Sequence, residues 1–169
     1  ITNGYLKAGY ELSENWFATA DFNLAGFKAS DPGPDKPDGV PGYKIDITRG
    51  YWATSLNNEF EKMSGSARFY YNFGEHDVTD GFHSTDQNIG FNLYESFKFF
   101  KGNNLTFGVD YANYGGLAEN LLAMQGNGIV FADTTVYELG LYGFVQQNFS
   151  EKITVNAGLR YSEHRTYGS

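Results

Sequence analysis

The residues best equipped for chemistry lie close together, in Glu75-His76-Asp77-Val78-Thr79-Asp80-Gly81-Phe82-His83. Two imidazoles and three carboxylates within nine residues offer donors for a metal or a bound chelate. Their spacing fits neither a helical His-x-x-x-His pair nor the oxygen ladder of a calcium loop. A solvated acidic hairpin loop, turning at Asp80-Gly81, accounts for the same residues, and no metal is assigned. Catalysis has less to build on. The histidines are His76, His83 and His164. His83 and Ser84 are neighbours, and neighbours on a strand point to opposite faces. Ser162 and His164 share a face, but no Gly-x-Ser-x-Gly elbow is present. Gly81, Gly108, Gly140, Gly143 and Gly158 form no phosphate cradle. No catalytic residue, enzyme activity or cofactor is therefore assigned.

The elements that must position these groups are strands. The 169 residues include 15 Phe, 13 Tyr, 2 Trp and 21 Gly, but only 4 Pro and no Cys. Aromatic and glycine enrichment favours pleated surfaces over helices and argues against disorder. A net charge of −8 repels nucleic acid. Without cysteine there is no disulfide and no thiolate ligand. No apolar run is long enough for a transmembrane helix. The mean hydropathy of −0.44 is blind to alternation, in which a β-barrel hides its lipid face.

Turn signals divide the chain into eight segments, at about 3–12, 16–27, 44–60, 65–75, 86–100, 104–114, 135–149 and 153–164. Most alternate with period two. Ala67, Phe69, Tyr71 and Phe73 oppose Ser66, Arg68, Tyr70 and Asn72. Ile153, Val155, Ala157, Leu159 and Tyr161 oppose Thr154, Asn156, Gly158 and Arg160. In the third segment Ile45 and Ile47 have one parity while Trp52, Leu56 and Phe60 have the other, which predicts a bulge. The polar face carries Lys7, Glu11, Asp21, Arg68, Lys98, Asp110, Glu138 and Arg160, and its charges are expected to form a ladder or simply keep the wall polar. Glu95 falls on the apolar face without an evident reason.

Connections alternate between short turns, at about 13–15, 62–64, 101–103 and 150–151, and long loops, at about 28–43, 76–85 and 115–134. In an up-and-down meander this places every long loop at one end, as in outer-membrane barrels. The 28–43 loop holds all four prolines, and Leu117–Met124 is read as a short loop helix. The segments exceed the usual soluble strand of about 5–6 residues. Aromatics gather near strand ends at Trp16, Phe60, Tyr71, Phe73, Phe99, Phe100, Phe149 and Tyr161, as in interfacial girdles. The expected fold is an all-β, antiparallel up-and-down transmembrane barrel of about eight long strands. The competing fold is a soluble sandwich whose apolar face closes on a dry core. The pattern begins and ends in mid-course, so a segment of a larger barrel is expected.

Val136-Tyr137-Glu138-Leu139-Gly140-Leu141-Tyr142-Gly143-Phe144-Val145-Gln146-Gln147, followed by Ala157-Gly158-Leu159-Arg160-Tyr161 and Tyr167-Gly168, resembles mid-barrel hairpins of TonB-dependent outer-membrane receptors. Tyr70-Tyr71-Asn72-Phe73-Gly74-Glu75-His76 is similar to receptors of the Bacteroidetes type, as is Leu105-Thr106-Phe107-Gly108-Val109-Asp110-Tyr111 with Tyr114-Gly115-Gly116. So is Asp31-Pro32-Gly33 followed by Arg49-Gly50. The resemblance implies a barrel of about 22 strands, occluded by a plug domain that this chain lacks. It implies coupling to the TonB complex through that plug, and uptake of a ferric siderophore, haem, cobalamin or glycan in the bacterial outer membrane. Outer-membrane lipid would then face the apolar side. Ligand contacts are expected among the external loops at His76, Asp77, Asp80, Phe82, His83 and Phe131. Two other readings stay open: a complete eight-stranded barrel with a structural or adhesive role, and a barrel-embedded lipid hydrolase.

Overall fold

The computed structural model describes residues 1–30, 42–122 and 128–168. It contains eight strands: β1 (Thr2–Ser13), β2 (Trp16–Ser30), β3 (Lys44–Glu59), β4 (Met63–Val78), β5 (Phe82–Phe97), β6 (Asn103–Asn120), β7 (Ile129–Ser150) and β8 (Ile153–Gly168). They form one sheet in chain order, each strand antiparallel to the next. β1 and β8 do not pair with each other, so the sheet is open.

Register determines what each face carries, because cross-strand partners point the same way. One row runs Phe22–Trp52–Tyr71–Ile89 across β2 to β5. Another runs Leu93–Val109–Leu141–Tyr161 across β5 to β8. These apolar residues share a face. Asp21, Arg68, Asn92, Asp110 and Arg160 lie on the opposite one. On the apolar face the hydrophobic residues form a band, seven residues long in Ala67–Phe73 and Val155–Tyr161. At roughly 3.3 Å per residue such a band is about 25 Å tall. Beyond it, toward the long-loop end, the same face turns polar at Lys28, Asp46, Glu75, Asp77, His83, Glu119 and Asp133.

No dry core exists. Among the described residues Ala53, 1% exposed, is the one buried hydrophobic side chain. The chain exposes 11986 Å². A globular chain of 18.9 kDa would expose about 8,300 Å². A sandwich is therefore excluded: the apolar rows do not meet each other across an interior.

Several expectations need correction. The predicted bulge in β3 is absent, because its register runs unbroken against both neighbours from Ile45 to Asn58. Ile45 and Ile47 instead project from the polar face. The expected 76–85 loop is mostly strand. A tight turn at Thr79-Asp80-Gly81 closes it, with Gly81 N donating to Val78 O at 2.9 Å and Gly81 at φ 92°. A conformation with positive φ suits glycine, which has no Cβ to clash. The 115–134 loop also shortens. Leu117–Asn120 continue β6, so no helix forms there, while 123–124 lie outside the described residues. Most of the proline-bearing loop, at 31–41, lies outside them too. Lys98 falls just beyond β5.

Glu95 acquires an explanation from its neighbours. It lies opposite Gly65 on β4, whose missing side chain leaves room for the carboxylate. Asn58 Nδ2 donates to Glu95 Oε2 at 3.1 Å. Both residues sit near the short-turn ends of their strands, at the margin of the apolar band. At this margin Trp16 meets Phe60 edge-on at 6.2 Å and Phe97 stacks on Phe99 at 5.8 Å.

Candidate functional site

The candidate site is the long-loop end of the sheet, where β4 and β5 extend beyond the apolar band. Alternation divides its residues between the two faces. His76 points to the polar face, between Ile47 of β3 and Ser84 of β5. Phe82 points the same way, and the His76 ring meets it edge-on at 5.6 Å, 73° between planes. Phe82 stacks on Phe131 at 6.5 Å and 15°. Phe131 reaches this face through a bulge. Ala118 pairs with Ala132 and Glu119 with Val130, so Phe131 is the extra residue of β7. A bulge re-aims a side chain that strict alternation would leave elsewhere. Phe131 is 59% exposed and open to contact. His76 Nε2 is buried and has no hydrogen-bond partner.

The patch continues sideways. Phe27 lies opposite Ile47, which lies opposite His76. Ala29, Ile45 and Val78 form the next row. The polar face thus becomes apolar and aromatic at its rim. Sequence reading missed Phe27, Ile45, Ile47 and Val78, although the parity change in β3 was their visible signal.

Asp77 and His83 face the other way. His83 Nδ1 and Asp77 Oδ1 are 2.7 Å apart. That hydrogen bond holds the imidazole above its ordinary value. Partial burial pulls it down, while the charges of Asp77, Glu119 and Glu75 push it up. His83 lies beyond the apolar band, where water can supply and remove the proton. Glu75, Asp77 and His83 bring one donor atom each within 4.8 Å of one another. Such a mixed oxygen and nitrogen set suits a weakly held divalent cation, though Asp77 and His83 already satisfy each other. Asp80 does neither job: its Oδ1 accepts from Phe82 N at 2.9 Å and tightens the turn. Of the six expected contact residues, the structure thus brings His76, Phe82 and Phe131 together and separates Asp77, His83 and Asp80 from them.

Below the rim the polar face is held by charge-assisted bonds. Arg49 donates to both oxygens of Asp86, at 3.2 and 2.9 Å. Arg160 Nη1 donates to Asp110 Oδ2 at 2.6 Å, and Asn92 Nδ2 to Asp110 Oδ1 at 3.1 Å. The Arg160 guanidinium lies 5.8 Å from the Tyr142 ring. The expected ladder is partial, since Arg68 and Glu138 form no ion pair with a described residue. Ser162 Oγ accepts from Arg160 Nε at 3.0 Å, and His164 Nε2 lies 3.5 Å from Tyr114 Oη. The serine and histidine do not bond to each other, so the hydrolase arrangement is not formed.

No family model matches the sequence, and no curated protein matches it. Two solved structures share its architecture. The alcaligin outer-membrane receptor FauA of Bordetella pertussis superposes with a TM-score of 0.70 at 12% identity, over 99% of this chain. FpvA of P. aeruginosa, in an iron complex with a heterologous pyoverdine, superposes with a TM-score of 0.69 at 13% identity, over 98%. What they share with this chain is the fold. The chain spans 28% and 30% of those two chains, respectively. The first is named as a receptor and the second is bound to an iron complex; neither is named as an enzyme. At such identities the likeness concerns fold and reaches no residue of the rim.

Proposed function

We propose that this chain is a wall segment of a TonB-dependent outer-membrane receptor, of Bacteroidetes type. The receptor takes up a scarce nutrient, a ferric siderophore, haem, cobalamin or glycan, by energy-coupled transport. One observation carries the reading: a fully extended, open antiparallel sheet with an apolar band on one face, paired charges on the other and no dry core between them. An apolar face without a protein partner is stable against hydrocarbon. The polar face then lines the interior, against a plug domain carried elsewhere in the protein, which is the partner of the TonB complex. The long-loop end faces outside. His76, Phe82 and Phe131 meet the nutrient there, and Asp80 sets the turn that presents them.

The test is uptake by cells producing the complete protein, using ferric catecholate, ferric hydroxamate, haem, cobalamin and an oligosaccharide as probes. One probe is expected to enter in a TonB-dependent manner. Phe82→Ala and Phe131→Ala are expected to weaken its binding by about 3–10-fold each, the worth of an aromatic contact. Uptake of none of them, or uptake indifferent to loss of TonB, overturns the reading.

A further inference from the structure

A groove of about 610 Å³ crosses the apolar face of β4 to β7 where the band ends. Its walls are Tyr71, Phe73 and Leu117, and its floor is Gly115, which lies between Gln87 and Thr135 in the ladder. Gly115 has no side chain because the backbone of Thr134 passes where a Cβ would stand. The groove has a fixed height on the wall. A hydrocarbon crossing takes about 9–11 residues of strand. Counted from Leu105 at the short-turn margin, that distance ends near Gly115. Glu75 and Asp133 stand at the rim of the groove on β4 and β7; Glu75 lies beside His83, while Asp133 has no cationic partner among the described residues.

From this we infer that the groove holds one acyl chain of an outer-leaflet lipid whose headgroup carries a protonated amine, bound by Asp133 in a negative field to which Glu75, across the groove, adds. The inference rests on the membrane-wall reading above. Apolar walls with a glycine floor accept a methylene chain, and an excess of carboxylates at the level of the headgroups attracts a cation. The same carboxylates repel a lipid whose headgroup is only anionic.

The complete protein is placed in nanodiscs of mixed phosphatidylethanolamine and phosphatidylglycerol, and the lipids it retains are counted by native mass spectrometry. Retention is expected to favour phosphatidylethanolamine by about tenfold, the ratio one well-made charged contact supports. The double variant E75Q/D133N is expected to lose that preference. T135W, which fills the groove from an outward position, is expected to lower retention of both lipids. Equal retention by wild type and E75Q/D133N overturns the inference. So does retention abolished by chelator, which would mean a divalent cation at Glu75, Asp77 and His83 carries the headgroup. A photo-crosslinking residue at Phe91, in the middle of the apolar band, separates the two levels. Lipid adducts at position 91 without lipid preference sink the groove alone, and absence of adducts sinks the wall itself.

Discussion

At the scale of single residues, parity decides more than chemical type. His76 and His83 looked equivalent in sequence, two imidazoles in one acidic stretch. The structure gives them opposite faces and different partners, Phe82 for one and Asp77 for the other. His83 titrates above its ordinary value of about 6.5. Its bond to Asp77 therefore contributes stability fully below that value, and the contribution is lost as pH rises through the raised one. NMR titration of labelled histidine is expected to show this elevation, and Asp77→Asn to remove most of it. An unshifted His83 in the wild type would contradict the geometry. Glu95 supplies a second case. Glu95→Leu leaves the Asn58 amide without its acceptor and is expected to cost about 1–3 kcal/mol. The double variant N58L/E95L is expected to recover most of the loss, read from the unfolding midpoint of the complete protein in detergent. The pairing itself was not legible in sequence, because Asn58, Gly65 and Glu95 meet only through register.

At the scale of elements, alternation was legible nearly everywhere, and the sheet has the eight antiparallel up-and-down strands it implied. The strand ends were less legible, above all at the long-loop end. β4 and β5 run on to Val78 and back from Phe82, through residues whose acidic and glycine content suggested a loop. Composition there reports exposure to water, which a protruding hairpin shares with a loop. The bulge that frees Phe131 was invisible for a different reason: it exists only relative to β6. In β3 the apolar parity switch was real, but it marked a change in what each face meets, with no break in register. Close cross-strand approach makes another prediction. A Cβ at Gly90 would meet the Tyr70 ring and the Tyr111 backbone carbonyl. Gly90→Val is expected to destabilise the wall by about 1–3 kcal/mol through overpacking. Heat modifiability of the complete protein on unheated gels measures it, and an unchanged midpoint would show that the two strands can part without cost.

At the scale of the whole molecule, the sheet ends in two edge strands, β1 and β8, each paired on one side only. Each presents a row of backbone groups that hydrocarbon cannot satisfy, at a cost of several kcal/mol per group. Produced alone in detergent, these residues are expected to aggregate or close irregularly, giving a broad profile in gel filtration. A single monodisperse, heat-resistant species with the same strand content would show that the edges find partners within the chain. Architecture of this kind is readable from period, strand length and loop asymmetry, since all three follow from one solvent arrangement. A ligand is not, since any binding at the rim would depend on a few contacts that many sequences could supply.

The unbroken register of the β4–β5 hairpin carries an evolutionary corollary. Lengthening both arms by two residues would lift its tip by roughly 7 Å and leave each side chain on its present side. Lengthening one arm by a single residue would reverse the faces of that arm alone, or be absorbed as a bulge, and would part the histidine of one strand from the phenylalanine of the other. Chains that inherit this sheet can therefore diversify their reach in even steps, while an odd step in one arm takes the aromatic pair apart at a stroke.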